Sequence, residues 1–410
     1  MKNIVVLGAG FAGLRCALDL SRKVSTEWKV VLLDRNPYHI YFPRLYELAV
    51  PHDGKACTID IPKILKGSRI EFIQGEIKDI DCKGKAITLA DGKSIPFKYL
   101  VLALGAGTDY FDIEGLEKYS RTLKSIDDAK SIRQQVEDFL NGVRAGKKDL
   151  FEVVIGGAGA TGVEVAAEMA YLFQDIPRGL WSVRVVEALS AVLWMFPPEV
   201  SKYAYHRLTK LGVHVMLDTC IKSVHKNNNE IEVVLAPRPL KPGETEAALV
   251  CSFLPEHEKR ISADLLLWAG GVRATPLLSR CALPVDRKGR MEVDEYLRVK
   301  NFDNVFAIGD DATLINPKDQ RPVPATAQAA IEQGRLVAKN ILNTLQSKTL
   351  IQYRFHEFPA IVPLGGHAGV AYVGGRVFTG LSSWFLRKAA DCRYLASILG
   401  WWNAFKRCIM

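Results

Sequence analysis

The stretch VVLGAGFAGL, residues 5–14, sets Gly8, Gly10 and Gly13 in the spacing G-x-G-x-x-G directly after an apolar run. A near copy, VVIGGAGATGVE from Val153, sets Gly157, Gly159 and Gly162 in the same spacing. Glycine at these places permits a tight strand-to-helix turn, close approach of the backbone to a pyrophosphate, and close helix–strand packing. The N-terminus of the following helix then faces the negative charge. Two such turns in one chain predict two dinucleotide ligands.

Residues 3–7 (NIVVL) read as a buried parallel strand and 12–23 as a helix. The next strand, WKVVLLD, ends on Asp34, 21 residues after Gly13. An acid about 20 positions on bonds a ribose hydroxyl in such folds. The second copy repeats the plan: FEVVIGGAGATGVEVAAEMA, then WSVRVVEA ending on Glu187, 25 residues after Gly162. A carboxylate there accepts from a ribose 2′-hydroxyl and repels a 2′-phosphate, so the second site is expected to take NADH rather than NADPH. YLVLALGAG (99–107, with Gly105) and ADLLLWAGG (263–271, with Gly271) are further buried strands running into glycines. NVFAIGDDA (304–312) ends a strand at Gly309-Asp310, and 323–342 reads as a helix with Pro324 near its start.

A chain of 410 residues implies two or three domains. With 48% hydrophobic and 24% charged residues it is a folded globular protein, and it contains no apolar run of transmembrane length. The first strand begins at residue 3, ahead of which no signal peptide fits, so a cytoplasmic or cytoplasm-facing location is expected. The net charge of +9 favours an anionic partner, either nucleic acid or an acidic membrane face. Eight scattered cysteines without C-x-x-C spacing read as buried structural thiols, with neither a redox dithiol nor a metal site indicated. The Pro- and charge-rich residues 236–260 read as a hairpin loop.

Residues 376–410 carry six basic residues against the single acid Asp391, a net +5. Leu395, Ile398, Leu399, Trp402, Phe405 and Ile409 recur at helical spacing, with Trp384, Phe385 and Trp401 beside them. This describes a basic amphipathic segment lying in a membrane interface. A helix packed on its own protein, or a homodimer contact, would show the same pattern. The segment accounts for the positive charge without nucleic acid.

Two dinucleotide motifs plus a late Gly-Asp strand and helix resemble the two-dinucleotide-domain flavoproteins. NPYHIYFPRLYELAV (36–50), GAGATGVEVAAEMA, LLLWAGGVRATPLL and RPVPATAQAAIEQG together resemble, over nearly the whole chain, the type II NADH dehydrogenases. These are single-subunit, non-proton-pumping NADH:quinone oxidoreductases. The resemblance implies an α/β fold of two Rossmann-like domains, an NADH domain (146–275) inserted in an FAD domain (1–145 and 276–345), and a C-terminal membrane-association region (346–410). It implies FAD bound by Gly8, Gly10, Gly13, Asp34, Arg35, Gly105, Gly309, Asp310 and Ala327, and NADH bound by Gly157, Gly159, Gly162, Glu187 and Gly271. The family's quinone-side signature A-Q-x-A-x-Q stands here as Ala327-Gln328-Ala329-Ala330-Ile331-Glu332, with Gln333 following. Arg44 is a second departure from the usual form. The disulfide reductases and sulfide:quinone oxidoreductases need cysteines beside the flavin that this chain does not supply.

Charge on reduced flavin gathers around N1 and O2, where a helix N-terminus offers unpaired N–H groups. The residues around Ala325–Gln328 are the candidate. Glu164 in the second glycine helix lies, by the resemblance, at the nicotinamide and flavin. Glu168, one turn on, is expected at the surface. Quinone protonation can draw on Glu332 or on water. His39, after the second strand, either reaches the flavin edge or is hydrogen-bonded in place. A reductase of a soluble acceptor such as ferredoxin, and a signalling flavoprotein like the apoptosis-inducing-factor relatives, are the competing readings.

Overall fold

The computed structural model describes residues 2–51, 57–227, 230–238, 258–281, 283–317 and 320–409, without the side chains of 408 and 409. The strand Lys2–Leu7 is the centre of a five-stranded sheet in the order 305–307, 99–102, 2–7, 28–34, 70–74, and every pair in it is parallel. Ile4 to Leu7 are completely buried, packed in one core with the helices Phe11–Ser21 and Ala327–Leu345 and with Ile80, Ile87 and Ile95 of the antiparallel strands 77–96, and that is why the strand reads as an unbroken apolar run. A second parallel sheet repeats the plan in the order 214–216, 181–186, 151–156, 265–268. In each, the strand preceding the glycine turn borders the point where strand order reverses, the place such sheets bind ligands.

The chain passes between the two sheets through a short antiparallel ribbon, Ala106–Thr108 against Val272–Ala274. The Trp268 indole N–H donates to the Asp109 carbonyl at 2.8 Å and fastens the ribbon to the second sheet. The polar helix Ile126–Arg144 packs both against the short helix Leu45–Ala49 of the first segment and against the second sheet. Its Ile126, Ala129, Ile132 and Val136 share a cluster with Val153 and Val163. A capping box of Ser125 and Asp128 starts this helix.

The antiparallel strands Thr219–Asn227, Glu230–Pro237 and Lys259–Ala263 extend the second unit. The hairpin expected over 236–260 falls mostly outside the described residues, though the strands flanking it do pair. Residues 360–379 form a three-stranded antiparallel sheet whose Val362, Leu364 and Val370 sit in the core of the second unit. Part of the region after 345 is thus built into the core of the protein. Two helices follow, Leu381–Leu399 and Trp401–Ile409, separated at Gly400.

Among the described residues no helix is long and apolar enough to cross a membrane. Cys16, Cys57, Cys82 and Cys281 are buried thiols, as expected, whereas Cys392 is disulfide-bonded.

Candidate dinucleotide and quinone sites

The two glycine turns are built alike. The Gly8 N–H donates to Leu33 O at 2.7 Å, and the Gly157 N–H to Val186 O at 2.8 Å. Gly8 (φ +97°) and Gly157 (φ +99°) occupy the left-handed region that favours glycine. A Cβ on Gly8 would stand 2.1 Å from Ala103 O, and one on Gly157 2.7 Å from Gly270 Cα. Gly13 and Gly162 press on the carbonyls of Gly8 and Gly157, each leaving only 2.0 Å for a Cβ. Gly10 and Gly159 differ from these: nothing approaches their Cβ positions within 4 Å. Each is the N-cap of its helix, Phe11–Ser21 and Ala160–Leu172, so the middle glycine leaves an open cradle at a helix N-terminus. That arrangement fits a pyrophosphate at both turns.

The acids close the turns in the same way. Asp34 accepts from the N–H of Ala9 (2.7 Å) and of Asn36 (2.8 Å). Glu187 accepts from the N–H of Ala158 (2.6 Å) and of Leu189 (2.9 Å). Burial pushes both carboxyls up, and these N–H donors oppose the shift. Both acids are therefore aimed at the turn. Arg184, close to Glu187 in sequence, faces away and pairs with Glu152 at 2.7 Å. Arg35 is exposed, and its carbonyl accepts from Gln74.

Gly105 (φ +79°) has open space above it, whereas Gly271 is pressed against Asp109 O and the Phe111 ring, so its smallness serves packing. At Gly309-Asp310 the sequence reading missed two residues. Asp311, fully buried, accepts from the Leu104 N–H and holds the loop that carries Gly105. Gln333, also buried, accepts from the Gly309 N–H at 2.6 Å through Oε1. Asp310 lies beside Lys124 and Arg290, whose charges oppose the upward push of burial on its carboxyl. Lys124 lies in the segment that leads into the 126–144 helix.

The late helix is Ala327–Leu345, capped by Thr326, whose hydroxyl accepts from the Ala329 N–H at 3.2 Å. Pro324 stands outside it. A hollow lined by Gly309, Ala312, Thr326, Ala330 and Gln333 opens at its N-terminus. Gln328 is exposed and donates to Pro359 O at 3.4 Å. Glu332 pairs with the exposed His356 at 3.3 Å.

Glu164 is the fifth residue of its helix and half-buried. Burial pushes its pKa up to about 8, opposed by the Arg387 guanidinium. It is therefore protonated at pH 7 and able to donate a hydrogen bond. Glu168, expected at the surface, is buried with Gly366 N–H 3.4 Å away. His39 is buried and bonded in place.

The C-terminal helix is tied inward. Asp391, 1% exposed, accepts from Tyr41 (2.7 Å), from Arg44 through two nitrogens (2.9 and 2.8 Å) and from Arg387 (3.0 Å). Leu395 and Ile398 join the core of the first unit. These two apolar residues, and the charges of Arg387 and Asp391, therefore do not face a membrane. The exposed apolar surface is made by Leu381, Phe385, Trp401, Trp402 and Phe405. Lys388 and Lys406 stand over Trp384 and Trp402 at 5.4 and 5.6 Å.

The family model of the pyridine nucleotide-disulphide oxidoreductases matches residues 2–334. The type II NADH:quinone oxidoreductase of Staphylococcus aureus is 30% identical over 423 residues, covering 99% of this chain and 98% of its own. That of Staphylococcus haemolyticus is 29% identical over 424 residues, with the same shares covered. Among solved structures, NDH2 from Plasmodium falciparum in complex with NADH shares the fold with a TM-score of 0.82 at 20% identity, over 100% of this chain and 97% of that one. The sulfide:quinone oxidoreductase of Aquifex aeolicus follows at 0.78 and 17%, over 98% and 92%. The chain belongs to the pyridine nucleotide-disulphide oxidoreductase family and, within it, to the type II NADH:quinone oxidoreductases.

Proposed function

We propose that this protein oxidises NADH and reduces a membrane quinone, without pumping protons, through a resident FAD. The observation that carries this is the pair of glycine turns, each with an open middle glycine and its own closing acid. FAD held here would supply the chemistry of accepting hydride from NADH and of reducing a quinone by two electrons and two protons. Its diphosphate and ribose fall to Gly8, Gly10, Gly13 and Asp34. Gly105, Gly309, Asp310 and the N-terminus at Ala327 flank the remainder, and Arg35 lies at the rim. Asp311 and Gln333 fix those loops from behind.

NADH is assigned to Gly157, Gly159, Gly162 and Glu187, with Gly271 letting the backbone close up beside it. Glu187, its two oxygens aligned by backbone N–H groups, accepts from the ribose 2′-hydroxyl and repels a 2′-phosphate. Glu164, neutral at pH 7, offers a proton on its carboxyl to hydrogen-bond the nicotinamide carboxamide. On the other side Gln328 and Glu332 meet the quinone, and the Glu332–His356 pair stands within reach of solvent. A helix N-terminus at 327 supplies partial positive charge without a titrating group.

The site of action is the membrane surface on the cytoplasmic side, reached through the exposed aromatic and basic face of the last two helices. Cutting the chain at 376 would test this poorly, because it would also remove Asp391 and Tyr394 from the interior. Replacing Trp401, Trp402 and Phe405 together by Ser changes only side chains that are 76%, 73% and 61% exposed. Partition onto anionic liposomes is expected to fall at least about tenfold. NADH oxidation with a soluble acceptor should stay at the parental rate. Unchanged partition contradicts membrane docking by this face, and loss of a dimer with partition retained assigns the face to a second copy of the chain.

A further inference from the structure

Ala9, at the centre of the first glycine turn, is held at both ends. Its N–H donates to Asp34, and its carbonyl lies 2.8 Å from His39 Nδ1. A carbonyl can only accept, so Nδ1 carries the hydrogen and Nε2 is the acceptor. The Tyr394 hydroxyl fills that acceptor at 2.8 Å. Tyr394 stands on the helix Leu381–Leu399, its ring stacked on Tyr41 (5.1 Å) and edge-on to Phe11 (4.9 Å), the first residue of the glycine helix. Burial pushes the His39 pKa down to about 4, so the imidazole is neutral and keeps this tautomer at working pH.

The second turn meets the same need with local backbone. The Ala158 N–H donates to Glu187, and the Ala158 carbonyl accepts from the Leu193 N–H at 2.9 Å. No distant helix takes part. In a trans peptide the carbonyl and the next N–H point opposite ways, so pinning the Ala9 carbonyl also fixes the Gly10 N–H. That N–H is among the donors the turn presents to a pyrophosphate.

We propose that His39 and Tyr394 are positioning residues for flavin retention: the docked C-terminal helix locks the phosphate-binding turn of the first domain through them, and the second turn is free of this control. The asymmetry suits a resident nucleotide at the first turn and an exchanging one at the second. It rests on the reading that FAD occupies the first turn.

The test uses purified holoprotein and follows the rise in free-flavin fluorescence on dilution, with the NADH KM measured on the same preparations. Tyr394→Phe keeps the stacked ring and removes only the hydroxyl, and His39→Phe removes both bonds. His39→Gln offers an N–H to Ala9 and a carbonyl to Tyr394. One net hydrogen bond corresponds to roughly a two- to tenfold effect. FAD release should quicken about fivefold in Tyr394→Phe and further in His39→Phe, with partial recovery in His39→Gln and an unchanged NADH KM. Release at the parental rate in Tyr394→Phe overturns the proposal, even if His39→Phe fails to fold. An NADH affinity that falls as much as FAD retention also overturns it, since that marks general loosening. A parent protein that takes up no FAD would instead overturn the functional reading itself.

Discussion

Gly8→Ala is expected to cost the fold about 3–5 kcal/mol, while Gly10→Ala, two residues on, leaves stability within about 0.5 kcal/mol of the parent. At Gly8 a methyl group meets two obstacles. The backbone is left-handed at φ +97°, and the new Cβ would lie 2.1 Å from the Ala103 carbonyl in the neighbouring strand. Neither atom belongs to a flexible side chain, so the strand–turn junction itself must move. At Gly10 the backbone is extended (φ −71°) and nothing lies within 4 Å of the Cβ position. The same methyl group there occupies only the space assigned to the pyrophosphate. Without flavin, Gly10→Ala should therefore fold and melt like the parent, but it should bind FAD roughly 100-fold more weakly, because it holds a charged acceptor off its N–H donors. Thermal melting with flavin titration separates the two variants. If Gly10→Ala retains FAD as tightly as the parent, the first turn is not the flavin site.

Asp391→Ala is expected to destabilise the protein by about 3–5 kcal/mol, because it strands the Arg44 and Arg387 guanidiniums in the interior without their shared carboxylate. Asp391 takes four hydrogen bonds from three side chains, two of them on the segment 41–44 and one on its own helix. Removing it undoes the attachment of the C-terminal helix to the first domain. The melting midpoint should fall by roughly 10 °C and flavin loss should accompany it, since Tyr394 lies less than one helical turn away on the same helix. A melting midpoint within about 1 °C of the parent would show that this cluster does not hold the helix in place.

Most of the fold was legible because its signals are local. The glycine turns, the strands before them and the acids after them lie within about 35 residues of each other, and each element of that pattern has one physical job. Legibility stopped where a contact joins residues far apart in sequence. Tyr394 reaches His39, Asp391 reaches Arg44, and Gln333 reaches Gly309, and no spacing rule connects the members of these pairs. Asp311 was overlooked for a related reason. In the pair Asp310-Asp311 the sequence does not say which carboxyl turns inward, and the bond from Leu104 identifies it only once the strands are placed.

The C-terminal segment shows a different limit. Helical spacing of apolar residues predicts a face without saying what covers it. Leu395 and Ile398 are covered by the protein itself, whereas Trp402 and Phe405, in the same register, are exposed beyond the break at Gly400.

The most direct test of the central claim is NADH oxidation by the purified, flavin-loaded protein. Its acceptors are a panel of quinones and a ferredoxin, each offered with and without anionic liposomes. Quinone should be reduced by NADH, faster with lipid present, with little turnover of ferredoxin. Brisk ferredoxin reduction with no quinone turnover in either condition would contradict it.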